Sequence, residues 1–269
     1  MFFGNIIKEK NVYRYHSTGG KPYLEQPPSV FSMTSRIDVQ ETNSLLRDAS
    51  PRSSSTAFPL KAVLAEVLGT ALLANAVAMG TDALHVGLTL AALVFALGHI
   101  SGAQLNPAVT LAVFVRGKIS AMNGIYYMLA QVAGAFLGGL IAMPILEDAV
   151  EGSKISAPAV AEGVGAMTAV SAEALYTMVL ALVVLLTATT KSQEGNSFFG
   201  LAIGAALTAG AKAVGGISGG ALNPAIGIAL PVLKDDGMGD IWIYAIGPLV
   251  GGLLAAGAFY LLEKPSELR

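Results

Sequence analysis

The sequence predicts an all-α membrane protein in which six transmembrane helices and two re-entrant half-helices form an inverted repeat. Three observations carry the prediction. Of the 269 residues 54% are apolar and 13% charged, against about a quarter charged in ordinary soluble domains. Six apolar stretches come close to the roughly 20 residues needed to cross a bilayer as a helix. The tripeptide Asn-Pro-Ala occurs twice, at 106–108 and 223–225, each time heading a shorter apolar run.

The elements follow in order. Residues 1–58 are polar, with Lys8, Lys10, Arg14, Lys21, Arg36, Arg47 and Arg52 among Ser, Thr, Gln and Pro, and read as a disordered cytoplasmic tail. No apolar core of a secretory signal precedes Leu60. The Ser- and Arg-rich stretch 50–56 looks like part of a transit peptide, but Glu25, Asp38, Glu41 and Asp48 argue against that. Residues 59–263 form the membrane domain, with spans at about 60–80, 84–103, 122–146, 167–190, 198–215 and 240–262. Two pieces, Asn106 to Val115 and Asn223 to Leu233, are too short to cross. They read as re-entrant segments, tolerated where they are buried in protein or line a water-filled cavity. Residues 264–269 make a short C-terminal end.

Charge sets the orientation. The tail, Arg116–Lys118, Lys191 and the Lys264–Arg269 end fall on one side of a six-span chain, while Asp82, Glu147, Asp148 and Glu151 fall on the other with Lys154 and Lys234. Basic loops stay inside, so both termini are expected in the cytoplasm. Gly pairs at one-turn spacing, Gly134 with Gly138, Gly200 with Gly204 and Gly247 with Gly251, mark close helix contacts. The net charge of −2 gives no reason to expect nucleic acid, and the lack of Cys removes disulfides and thiolate metal sites.

The internal repeat carries the functional reading. His99-Ile-Ser-Gly-Ala-Gln-Leu-Asn106-Pro-Ala lies over Gly216-Ile-Ser-Gly-Gly-Ala-Leu-Asn223-Pro-Ala without a gap. Upstream, Glu66-Val-Leu-Gly-Thr70 echoes Glu173-Ala-Leu-Tyr-Thr177. Three spans separate the copies, so the second sits upside down and a site is expected near the midplane between them. Asn is a good N-cap and Pro suits the first helical turn. Asn106 and Asn223 are thus expected to cap half-helices whose positive ends point inward and repel cations. Their side-chain amides would offer hydrogen bonds to a passing neutral molecule.

On these residues the chain resembles the aquaporins, or major intrinsic proteins, from about Ala57 to Glu263. The resemblance rests on Ala65-Glu66 with Gly69-Thr70, on His99-Ile-Ser-Gly with Asn106-Pro107-Ala108-Val-Thr110, on Ile217-Ser-Gly with Asn223-Pro224-Ala225, and on Gly247-Pro248 with Gly251. It implies a bundle with one pore per subunit, assembled as a homotetramer in a lipid bilayer, with no cofactor, no metal and no catalytic residue. It also implies a constriction near the outer mouth at Val86, Ala211, Gly220 and Ile226. Water-selective members carry an aromatic, a His, a small residue and an Arg at these positions, and this chain has none of the larger groups. A wide apolar constriction passing water, glycerol, urea or ammonia is the leading expectation. A strictly water-conducting pore and a closed junctional or scaffold protein are the alternatives, the latter because an apolar ring can dewet. Gly227 and Pro231 depart from the glycerol-conducting pattern, and Tyr244-Ala245 departs from the water-conducting one.

The remaining candidates each have two readings. Glu66 and Glu173 are relay groups of a coupled transporter, or, as the resemblance implies, acceptors that anchor the re-entrant loops. His99 is a pH sensor or a further loop anchor. Lys212, beside Ala211, either snorkels to headgroups or brings a positive charge to the pore mouth. In the tail, Glu41-Thr-Asn-Ser-Leu45-Leu46 resembles an acidic dileucine sorting signal, and Ser50 to Thr56 offers phosphorylation sites.

Overall fold

Eight α-helices build the described chain: α1 (Leu60–Ala78), α2 (Ala83–Ser101), α3 (Pro107–Val115), α4 (Ala121–Ala149), α5 (Ala166–Ala188), α6 (Phe199–Ser218), α7 (Pro224–Lys234) and α8 (Ile241–Leu262). The structure is a computed structural model and describes residues 58–80, 82–149, 151–264, 266 and 267. Phe58–Arg269 forms one compact unit. The sequence expectations for the tail, including the dileucine-like segment and the Ser50 to Thr56 cluster, lie outside the described residues. Among the described residues, six helices are long and apolar enough to cross a membrane. The two that are not, α3 and α7, are the ones that follow the Asn-Pro-Ala motifs.

Local chemistry explains where the helices start and stop. Asp82 caps α2 by accepting the His85 N–H at 3.0 Å, and Asn196 caps α6 by accepting the Phe199 N–H at 2.8 Å. The paired stops are Gly102 after α2 (φ 88°) and Gly219 after α6 (φ 85°), left-handed positions that cost Gly no Cβ clash. The fifth span runs on to Ser218, three residues past the expected end, because Gly215 and Gly216 stay helical up to that stop. The first ends at Ala78, before a turn through Gly80 at φ 73°.

Packing obeys the repeat. α1 lies against α4 as α5 lies against α8, and α1 against α2 as α5 against α6. Each half-helix crosses to the other repeat: α3 packs on α8 and α7 on α4. The repeats meet directly where α2 packs on α6. Lipid tails are as apolar as Leu, so helices in a bilayer associate through close van der Waals contact between small residues. The α1–α4 seam is such a contact: a Cβ on Gly134 would collide with the Val67 carbonyl and one on Gly138 with the Ala71 carbonyl. In the α5–α8 seam a Cβ on Gly251 would collide with the Ala174 carbonyl. The α2–α6 seam is made by Gly87 against Gly204, each lying on the other's carbonyl. Gly87 was not singled out in the sequence because its partner lies on another helix and not one turn away. Gly200 instead leaves room for the Phe95 ring.

Candidate functional site

The two re-entrant loops are held in conformations that L-residues seldom adopt. In the first, Gly102, Ala103 and Leu105 have φ of 88°, 45° and 50°; in the second, Gly219, Gly220 and Leu222 have 85°, 63° and 49°. Left-handed non-Gly residues each cost about 1–3 kcal/mol and persist only where their surroundings hold them. Alternation of this kind turns successive N–H groups toward one point, making a concave nest for an anion. In each loop that point is occupied by a buried carboxylate.

Glu66 on α1 accepts the Ser101 hydroxyl at 2.6 Å and the Gln104 N–H at 3.0 Å on Oε1, and the Leu105 N–H at 2.7 Å on Oε2. Glu173 on α5 accepts the Ser218 hydroxyl at 2.7 Å and the Ala221 N–H at 3.0 Å on Oε1, and the Leu222 N–H at 2.7 Å on Oε2. Both residues are fully buried. The Tyr127 hydroxyl donates to the Ser101 carbonyl at 3.0 Å, and the Tyr244 hydroxyl donates to the Ser218 carbonyl at 2.7 Å. This tyrosine pair escaped the sequence reading, although the two are separated by the same offset as Asn106 and Asn223. One element is unmatched. Gln131 on α4 donates to Glu66 at 2.8 Å and to Thr110 at 2.9 Å, whereas Pro248 and Gly227 occupy the corresponding positions of the second repeat.

Asn106 and Asn223 cap α3 and α7, Oδ1 accepting the Ala108 N–H at 2.8 Å and the Ala225 N–H at 3.0 Å. Their amides are not free, as the sequence reading had them. Asn106 Nδ2 donates to the Leu222 carbonyl at 2.8 Å, and Asn223 Nδ2 donates to the Leu105 carbonyl at 2.9 Å. Each amide thus spends one N–H on the opposite loop, locking the helix ends tip to tip, and keeps one for whatever sits beside it. Pro107, Ala108, Pro224 and Ala225 are buried behind the two tips.

Both Asn residues line a cavity of about 210 Å³. Val86, Ala211, Gly220 and Ile226, drawn from α2, α6, the second loop and α7, line the same cavity. It reaches from Ala83 and Ser156 at one face of the bundle, past the Asn pair, to Ala188 and Phe199 near the other. Among the described residues no charged side chain lines it. A second cavity, of about 930 Å³, opens on the far face and shares Gly102, Ala188 and Phe199 with the first. The two cavities adjoin at these residues and together reach from one face of the bundle to the other.

His99 and Lys212 each carried two readings, and both side chains are exposed. His99 is exposed in the wall of the second cavity, and no hydrogen bond from its imidazole is found among the described residues. The anchoring is done by Ser101, Tyr127 and the Glu66 carboxylate, because the side chain at 99 leaves the last turn of α2 on the open side. Lys212 is exposed and lines an outer groove between α2 and α6 with Leu84 and Leu88, while its neighbour Ala211 lines the conduit. Adjacent residues on a helix diverge by about 100°, so an inward Ala211 carries Lys212 away from the mouth. Lys212 faces Asp82, whose carboxyl is held below the usual range chiefly by the His85 N–H and in lesser part by this ammonium.

Arg116, expected in a polar turn, is buried over the Phe259 ring at 4.8 Å and donates to the Glu267 carbonyl. The Glu267 carboxylate accepts the Lys191 N–H at 2.6 Å. The end of the chain is thereby tied to the far face of the bundle.

Comparison with known proteins agrees with this architecture. The family model described as major intrinsic protein matches residues 52–260. The chain is 38% identical over 174 residues to the "Probable aquaporin TIP2-2" of Arabidopsis thaliana, covering 64% of this chain and 65% of that one. It is 35% identical over 183 residues to the lens fiber major intrinsic protein of Oryctolagus cuniculus, covering 68% and 69%. To the "Probable aquaporin AqpM" of Archaeoglobus fulgidus it is 36% identical over 185 residues, covering 66% and 74%. The matches thus span 65% of the length of the Arabidopsis relatives TIP2-2 and TIP2-3. Among solved structures, the aquaglyceroporin from Plasmodium falciparum superposes with a TM-score of 0.65 over 76% of this chain and 97% of that one. At 22% sequence identity that likeness speaks to the fold alone.

Proposed function

Because the chain belongs to the major intrinsic protein family, a family of membrane channels and not of enzymes, we propose that it is a passive channel for water and small uncharged solutes, glycerol, urea and ammonia among them. The observation that carries this reading is the uncharged conduit whose wall includes Val86, Ala211, Gly220, Ile226 and both Asn amides. Small and aliphatic side chains at the first four positions leave room for a solute larger than water. The missing Arg at Ile226 removes both a fixed charge and a fork of donors from that point. Cations are opposed by the positive ends of α3 and α7, which meet tip to tip at the Asn pair. A neutral solute loses little there, since the second N–H of each amide replaces a bond to water.

Glu66 and Glu173 serve in this reading as loop anchors and not as relays. The donors that reach them are Ser101 and Ser218 at the ends of α2 and α6, N–H groups of the two loops, and Gln131 on α4, and none of these groups is a proton relay. A homotetramer in the bilayer, with both termini cytoplasmic, completes the proposal. It is supported by the family and by the basic residues placed at the face that carries Glu267.

The test is stopped-flow swelling of proteoliposomes under water, urea and glycerol gradients. Linear, unsaturable flux of all three is expected. Water flux alone would make the pore strictly water-selective, flux that needs an ion gradient would make the protein a transporter, and no flux would point to a closed scaffold. Lys212→Ala is expected to leave cation leak unchanged in the same vesicles. A rise in leak would return this ammonium to the pore mouth.

A further inference from the structure

We propose that the selective step of this channel lies on the far side of the Asn pair, at Phe199 and Gln104, and not at the outer ring of Val86, Ala211, Gly220 and Ile226. The inference rests on the channel reading above and adds a place and a chemistry to it. The cavity that holds the outer ring continues without a break on both sides of it, outward to Ser156 and inward to the Asn amides. The outer ring therefore lies within one cavity and does not divide it from another. The boundary between the two cavities falls at the residues they share, Gly102, Ala188 and Phe199. On this proposal the neck of the pore lies where the two cavities adjoin, at these three residues.

Phe199 is the one aromatic side chain in the wall of the first cavity among the described residues. Its ring is held at a fixed place. Phe95 stacks on it edge to face with centroids 5.2 Å apart, and a Cβ on Gly98 would lie 3.8 Å from its Cε2. The backbone is pinned as well: Asn196 accepts the Phe199 N–H, and its own amide donates to the Thr187 and Gln193 carbonyls at 2.8 and 2.7 Å. A ring stacked on Phe95 sets a steric limit that a mobile Leu or Met would not.

A polar side chain stands beside Gly102, one of the shared residues. Gln104 also lines the cavity, and its Nε2 lies 3.8 Å from where a Cβ on Gly102 would stand. Its Oε1 is buried and has no hydrogen-bond partner among the described residues. A buried acceptor without a donor is costly, and a solute bearing O–H or N–H groups would relieve that cost as it passes. An aromatic ring and an unsatisfied amide oxygen in one wall suit a solute with one apolar edge and one edge of donors, such as a short polyol or urea. The second repeat has Ala221 where the first has Gln104, so this selectivity is built into one half only.

The experiment measures water, urea, glycerol and four-carbon polyol permeabilities in proteoliposomes for the wild type, Phe199→Ala, Phe199→Trp and Gln104→Leu. Phe199→Ala is expected to raise polyol flux relative to water by about tenfold, the change that lowering a barrier by ~1.4 kcal/mol produces. Phe199→Trp is expected to lower it, and Gln104→Leu to lower urea and glycerol flux while sparing water. A second route avoids dependence on these variants folding well. The chain has no Cys, so Ala188→Cys introduces a single thiol at the neck, and a small methanethiosulfonate reagent is expected to close the pore to glycerol before water. Polyol-to-water ratios unchanged in both Phe199 variants, or glycerol and water lost together on labelling, would overturn the inference. Wild-type vesicles that pass no solute would instead overturn the channel reading itself.

Discussion

Glu173→Leu is expected to leave no folded, conducting protein at ordinary temperature. The carboxylate is fully buried and satisfies the Ser218 hydroxyl and the Ala221 and Leu222 N–H groups. Leu of similar volume accepts nothing, so three donors are stranded, at about 1–3 kcal/mol for each. The left-handed residue at Leu222 (φ 49°) then loses what holds it, and its strain of ~1–3 kcal/mol now drives the loop out of this conformation. The stranded donors alone cost about 3–9 kcal/mol, which overlaps the ~5–15 kcal/mol that stabilises a typical domain. The damage would also travel, because the Leu222 carbonyl is the acceptor for Asn106 Nδ2. A loop that relaxes at Glu173 therefore frees the tip of the other half-helix. Monodispersity on heating in detergent and vesicle flux are the measurements. Glu173→Gln, which keeps one acceptor oxygen, should fall between wild type and Leu. A Leu variant that melts within a few degrees of wild type and conducts normally would show that the loop holds itself.

The anchors were legible in the sequence because they are repeated, while their partners were not. Glu66 and Glu173 stand at matching places in the two copies, and a charge doubled inside an apolar span declares itself. The half-helices were legible for a local reason: Asn then Pro is a cap followed by a first turn, and ten residues cannot cross a bilayer. The spans ended within three residues of where they were expected, at Gly stops after α1, α2 and α6 and at polar ends after α4 and α5. What stayed hidden depends on contacts between distant segments. The bonds from Asn106 to Leu222 and from Asn223 to Leu105 join opposite repeats, and neither motif alone reveals that its amide is half used. Tyr127 and Tyr244 were open to discovery by offset but lie outside the conspicuous motif. Lys212 was left with two readings for want of helix phase. Once Ala211 is taken as inward, its neighbour must turn away. Arg116 counted only as a loop charge, since nothing local tells that Phe259 and Glu267 close over it.

Ile226→Arg is expected to convert a permissive channel into one that passes water and little else. Ile226 is buried in the wall beside Gly220 and Ala211, and Gly219 and Gly220, lacking side chains, present backbone to the same space. An Arg there would lie across the cavity, fill part of its ~210 Å³, and turn five donors toward the passing solute. A charge within a membrane protein is tolerated where it faces a water-filled cavity, and this wall position does so. Glycerol and urea permeability are expected to fall by tenfold or more, which corresponds to adding ~1.4 kcal/mol to their barrier, while water loses far less. Residual cation leak should fall as well, because the fixed charge adds to the half-helix dipoles. The double variant with Phe199→Ala then separates the two candidate filters. Arg at 226 closes the outer ring whether or not the inner neck is widened, so the double variant should match Ile226→Arg alone in excluding glycerol. Recovery of glycerol flux in the double variant would mean that the Arg side chain does not span the conduit. The outer ring would then be wider than its lining residues allow.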